Sequence, residues 1–479
     1  MDRSHSTVLS GGVRATFLTG PRGPRPVFGA LGGLKRRARD GVDHRDAAGR
    51  RSVGCGGSRS PAAERVRSRL FDTYFRPSVL PAGVSVHRER VALAGVVFAV
   101  LLAQVLLYPG VDTLVRALGA TTDLDASMWF LAAEFAAFVA FAGVWGVVSD
   151  ATGRRVPFIV VGALGGAVFY VALAWLPTQI HISFEGIIVL RALQGAMTIA
   201  AFSLAMTMLM DLAGGHGKNM GAAGIAIGTG TALGAPLGGQ LYGLSPTLPL
   251  YVAGGLLFAV AGLAATVTDR APSNTDGRLA AVTARLRETP ALGIPYAFGF
   301  IDRLTAGFFA LVGTLYFREV FALTPGETGL MLALFFAPFA LLQYPFGVLS
   351  DSIGRTVPIV AGSSLYGLAV VAVGLAPSVL TAGIGMVVVG VIGALMAPAT
   401  MALVTDLAGE SGRGTAMAGF NAFGSVGFLA GILVGGFVAG EFGYLAAFLV
   451  AGGAELGLAI VSVPRLLALD VPTADRPAD

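Results

Sequence analysis

Twelve runs of about twenty apolar residues follow one another from Val91 to the region of Leu466, and little else about the chain constrains its fold so strongly. A hydrocarbon core about 30 Å thick takes roughly 20 residues to cross as a helix. The runs are expected at 91–112, 127–148, 156–176, 185–210, 220–242, 248–268, 293–317, 327–348, 357–376, 381–405, 414–438 and 443–464. Of the 479 residues 54% are hydrophobic and 13% charged, too few charges to cover a water-soluble surface of this size. In lipid every backbone polar group must be satisfied within its own segment, so the Gly- and Ala-rich runs read as helices. Barrel strands, about 10 residues of alternating polarity, do not fit. The fold class expected is an all-α integral membrane protein.

The runs fall into two like sets. Gly146 to Pro157 reads GVVSDATGRRVP and Gly347 to Pro358 reads GVLSDSIGRTVP, 8 of 12 positions being identical, each copy wedged between two apolar runs. Asp211-Leu212-Ala213-Gly214 returns as Asp406-Leu407-Ala408-Gly409, and the offsets of 201 and 195 residues nearly agree. Two six-helix halves are expected, 88–268 and 291–466, joined by a polar linker at 269–290 in which Leu279 to Glu288 forms an amphipathic surface helix. Alternating-access transporters are commonly built from such repeats, which rock about a central site.

Charge sets the expected orientation. After residue 90 there are 15 Lys and Arg; an inside N-terminus places 11 on the cytoplasmic face, two outside (Arg116 and Arg318) and two within helices (Arg191 and Arg303). Both termini are therefore expected in the cytoplasm, with the chain a multi-pass protein of the cell membrane. Residues 1–87 read as a disordered basic tail: positions 1–90 carry 18 Lys and Arg against 7 Asp and Glu, without helical period, and nucleic-acid binding is not expected. Translation starting near Val84 or Val86 is one reading of that tail, and no cleavable signal is visible in it. Residues 467–479 read as a cytoplasmic C-terminal tail. The only cysteine, Cys55, excludes disulfides and thiolate metal sites, and no cofactor or metal is expected.

From about residue 88 to 466 the chain resembles the major facilitator superfamily of secondary transporters. The loop pattern Gly-x-x-x-Asp-Arg-x-Gly-Arg-Arg stands here as Gly146, Asp150, Gly153, Arg154 and Arg155, with Ala151 replacing the first Arg. Its second copy keeps Gly347, Asp351, Gly354 and Arg355, with Ser352 and Thr356 where Arg is usual. The resemblance implies gating loops in which Asp150 engages the start of the eleventh helix, near Arg413 to Thr415, in one conformation and releases it in the other. Arg191-Ala192-Leu193-Gln194-Gly195 is similar to the family's Arg-x-x-Gln-Gly signature, and Gly230, Gly234, Pro236, Gly238 and Gly239 are similar to the antiporter signature of the drug-efflux branch. Glycines four apart make a flat stripe for close helix contact.

Energy coupling narrows the candidates further. No Walker sequence is present, and the five histidines lie in the tail or in loops, so a proton carrier in the bilayer has to be a carboxylate. Glu134, Asp302 and Glu455 qualify, with Asp112 at the boundary. Arg191 and Glu134 are expected at similar depth on the outer side, with Asp112 at a neighbouring level; a Glu134 that meets Arg191 in only one state would bind and release a proton in step with rocking. Arg191 as a clamp on first-helix carbonyls is the alternative. Asp302 and Arg303, about 100° apart on one helix, cannot pair face to face. Gln104, Phe308, Phe309, Gln343, Tyr344 and Asn421 offer a mixed pocket. The expectation is a monomeric transporter that exports small amphipathic or drug-like molecules against a proton gradient, not an enzyme. Its alternatives are a proton- or sodium-coupled importer of a sugar or organic acid, and a non-transporting sensor or lipid-handling protein on the same fold.

Overall fold

A computed structural model describes residues 82–213, 216–269 and 278–468. The expectations for the basic tail up to position 81, for Cys55 and for positions 469–479 lie outside the described residues. All twelve expected runs are helices: α1 Val86–Ala117, α2 Leu124–Thr152, α3 Val156–Gln179, α4 Phe184–Asp211, α5 Lys218–Tyr242, α6 Leu248–Ala264, α7 Pro290–Glu319, α8 Pro325–Ile353, α9 Thr356–Gly374, α10 Val379–Gly409, α11 Gly412–Phe442 and α12 Tyr444–Leu467. Eleven are long and apolar enough to span a bilayer; α6, with 17 residues, is the shorter one.

Helices overrun the apolar runs by several residues because polar turns extend them beyond the hydrocarbon. In α2 the continuation Ser149–Thr152 ends at Gly153, whose φ of +63° is open to glycine, while Arg154 N–H bonds back to Ser149 O at 3.2 Å. Thr324 and Glu327 close a reciprocal cap at the start of α8, as Ser378 and Thr381 do for α10. Pro109 sits in a tight turn, Tyr108–Gly110, that breaks α1, and Tyr242 Oη donates to Leu107 O at 2.9 Å across that break.

Within each half the helices meet through small residues, since lipid supplies no hydrophobic drive to bring them together. A Cβ placed on Gly230 would lie 2.8 Å from Phe98 O, one on Gly234 2.8 Å from Val105 Cβ, and one on Gly238 would collide with Leu106 O. The antiporter-like stripe of α5 is thus the seat of α1. In the second half Gly427 and Gly431 meet the carbonyls of Phe300 and Leu304 in the same way, which seats α7 on α11. The duplication extends from loops to helix packing.

Gly239 belongs to a second face of α5. A Cβ there would strike Pro325 O of α8, and one on Gly329 of α8 would strike Ala235 O. Seven residues from Ala235 along this face, about two turns, a Cβ on Gly228 would lie 2.7 Å from Ala340 Cβ, and seven residues beyond, on the same face, a Cβ on Gly221 would meet nothing within 4 Å. The same progression runs along α2 and α11. Met128 packs on Gly436, Phe135 stacks on Phe428 with centroids 4.0 Å apart, and Asn421, seven residues from Phe428, is exposed. The two halves therefore touch at the end opposite the duplicated loops and splay apart toward the loop end. The expected amphipathic linker forms a helix, Arg278–Glu288, and its Arg285 guanidinium donates to Ala408 O of α10.

Candidate functional site

The most buried ionic centre lies where α2 and α4 nearly touch. A Cβ on Gly195 would come within 2.8 Å of Glu134 O, so this glycine brings the two backbones close enough for Glu134 to reach Arg191, one turn away on α4. Arg191 Nη2 donates to Glu134 Oε2 at 2.6 Å and Nη1 to Gln194 Oε1 at 2.6 Å, and Gln194 Nε2 passes the chain to Thr198 Oγ1 at 2.7 Å. Glu134, Arg191 and Gln194 are 0% exposed. The guanidinium carbon lies 4.7 Å from the Phe130 ring centre and 5.4 Å from that of Tyr170, whose hydroxyl is 3.5 Å from Glu134 Oε1. Buried in this way, the two charges are paired and walled by aromatic faces. Gln104 of α1 is buried beside Glu134.

Asp112 does not join this centre. It sits at the opposite end of the molecule from the duplicated loops and takes Arg318 of α7, with Nη2 to Oδ2 at 2.8 Å and Nε to Oδ1 at 3.1 Å, while Arg116 holds the same carboxylate at 2.7 Å. Arg318 also donates to Leu323 O and Thr113 Oγ1. Because α1 breaks at Pro109, the segment carrying Asp112 is redirected toward the second half, and the expected level beside Arg191 gives way to a link between halves. Arg318 had no signal in the sequence beyond its place in a short loop.

At the loop end each half holds its own charges. Arg155 Nη1 meets Asp211 at 2.5 Å and its Nη2 lies 3.7 Å from Asp150 Oδ1. Arg355 pairs with Asp351 at 2.5 Å and with Asp406 at 3.1 Å. Arg154 is exposed. The second repeated tetrapeptide therefore supplies the carboxylate for the first repeated loop, in both halves; the duplication carried this signal, but its role as a partner was not read from it. Asp269 is the anion at a helix start, accepting the Arg155 N–H at 2.9 Å and the Val156 N–H at 3.4 Å where α3 begins.

Asp302 and Arg303, half-buried near the middle of α7, form no ion pair with each other or with another described residue within 4.0 Å. Glu455 is buried, and Ser363 Oγ donates to its Oε2 at 2.6 Å. Of the mixed-pocket residues, Asn421 and Tyr344 are exposed, but Phe308 and Phe309 are 1% exposed and pack against Phe448. Both rings pack into the second half, and the α7 backbone widens into a π turn at Phe309–Gly313.

A duplicated bundle of apolar helices, sealed at one end and splayed at the other, with a buried ion pair inside its first half, is an architecture shared by membrane transporters built from repeats. The family model described as Major Facilitator Superfamily matches residues 93–317 and 296–479, and the chain belongs to that family. It is 31% identical over 171 residues to an uncharacterised MFS-type transporter of Methanocaldococcus jannaschii, covering 35% of this chain and 43% of that one. The chain thus spans less than half the length of this relative. It is 27% identical over 274 residues to the class G tetracycline resistance protein of Vibrio anguillarum, covering 55% of this chain and 68% of that protein. Among solved structures, the human organic anion transporter MFSD10 matches with a TM-score of 0.60 at 19% identity, over 80% of this chain and all of that one, a likeness of fold.

Proposed function

We propose that this chain is a secondary active transporter of the cell membrane that exports small amphipathic molecules in exchange for protons, with the loop end in the cytoplasm. The observation that carries the reading is the asymmetry between the two ends. The halves are joined by Asp112 and Arg318 and by close α5/α8 packing at one end, and separate at the other. A molecule built on two repeats held in this arrangement needs only to exchange open and closed ends to move a solute. The sequence pattern, which assigns 11 of the 15 Lys and Arg after residue 90 to the side of the duplicated loops, supports its cytoplasmic placement. Similarity to a tetracycline resistance protein supports export of a drug-like substrate. Glu134 is the carboxylate assigned to proton exchange, binding a proton when Arg191 withdraws and losing it when the pair re-forms.

The test is accumulation in everted vesicles energised acid-inside. The native chain is expected to accumulate substrate, and Glu134→Gln to lose the response to the gradient while retaining exchange in its absence. Acid-driven accumulation by Glu134→Gln equal to that of the native chain would remove Glu134 from coupling.

A further inference from the structure

Arg303 stands 13 residues from the start of α7 and 16 from its end, about 20 and 24 Å along the axis, so it lies at mid-depth. Arg191, the other arginine well inside a described span, lies nearer one end, about 10 Å from the start of α4, and is committed to Glu134. Arg303 makes no hydrogen bond or ion pair within the described residues, yet it is half-buried, not sealed. A guanidinium without a partner at this depth is tolerated where it meets water.

Packing shows which way it leans. A Cβ on Gly424 of α11 would lie 3.1 Å from Arg303 Cγ, so the stem rests on that glycine. Gly424 is one turn from exposed Asn421 and one turn from Phe428, the residue that stacks on Phe135 of the other half. Gly424 thus belongs to the α7-facing stripe of α11, at the edge of that seam next to Phe428 and Asn421, and Arg303 stands at the same edge, beside the gap that opens toward the loop end. Adjacent Asp302 is about 100° round the helix, interacts with Glu455 and Tyr366 as well as with Arg303, and forms no ion pair with Arg303 within 4.0 Å. One turn beyond, the Phe135–Phe428 stack closes the gap with aromatic surface.

We propose that Arg303 is the anion-binding group of the gap between halves, and that the substrate is an organic anion whose apolar body lies on the Phe135–Phe428 stack. This rests on the transporter reading above and adds a charge to its amphipathic substrate. A guanidinium offers two parallel donors to a carboxylate, a geometry that a lysine ammonium lacks.

The test uses the full chain in lipid nanodiscs with three probes of one shape: naphthoate, neutral naphthamide and naphthylmethylammonium. Calorimetric titration is expected to give the native chain at least about a tenfold preference for naphthoate over the amide, the worth of one charge-assisted pair. Arg303→Gln is expected to abolish that preference and Arg303→Lys to keep part of it, both eluting as monodisperse protein with native thermal unfolding. Equal binding of acid and amide to the native chain, absence of naphthoate binding, or an unchanged ratio in Arg303→Gln would each overturn the proposal. Naphthoate exchange in proteoliposomes separates the two readings. Binding without flux would leave the Arg303 site and sink transport; flux of the neutral or cationic probe alone would do the reverse.

Discussion

At the residue scale, the Glu134–Arg191 pair illustrates how little a buried charge can be judged alone. Both groups are 0% exposed, so each is a liability without the other. Removing one member of a buried pair costs about 3–5 kcal/mol, whereas replacing both with apolar groups is often neutral. Glu134→Gln is therefore expected to lower unfolding free energy by about that amount in denaturant titration. The double change Glu134→Gln with Arg191→Met should recover most of the loss; additive losses would show that the two residues do not act as a unit. The sequence carried the depth of both residues. It did not carry Tyr170 or Phe130, which wall the guanidinium, because an aromatic residue in an apolar run looks the same whether it faces lipid or a charge.

At the element scale, the spans themselves follow from hydropathy, and helices ran past the apolar segments only where caps and polar turns prolonged them. How the spans seat on one another follows from glycine. Gly431 lies against Leu304 O, and a methyl there has no room, so Gly431→Ala is expected to cost about 1–3 kcal/mol through displacement of α7 from α11. Gly224, where an added Cβ meets nothing within 4 Å, should tolerate alanine with a thermal midpoint unchanged or slightly raised, since alanine is the better helix former. Equal losses at both positions would contradict the seating described here. The repeated Asp-Leu-Ala-Gly segments belong to this scale as well: the sequence showed that they recur, and the fold showed that each supplies the carboxylate for its own loop arginine.

At the scale of the whole molecule, the join between halves at the sealed end is carried by one ion pair and two close helix seams. Asp112→Asn weakens the hold on Arg318, and the population with that end open should rise. In a Cys55→Ala background, a cysteine at Met128, which packs on Gly436 in the sealed seam, is expected to react with an impermeant maleimide about three- to tenfold faster once Asp112→Asn is introduced. Unchanged labelling would show that the helix seams alone hold this end shut.

The sequence by itself determined that the chain is a membrane protein of twelve apolar helices, eleven of them long enough to span, in two related halves, because insertion into lipid is decided helix by helix and local hydropathy suffices for it. Only the tertiary structure decided which charges meet and which end is closed. Asp112 and Arg318 are 206 residues apart, and nothing in either neighbourhood names the other. In lipid, association of formed helices is governed by surface shape and a few polar contacts, and those become defined only once every helix has its neighbours.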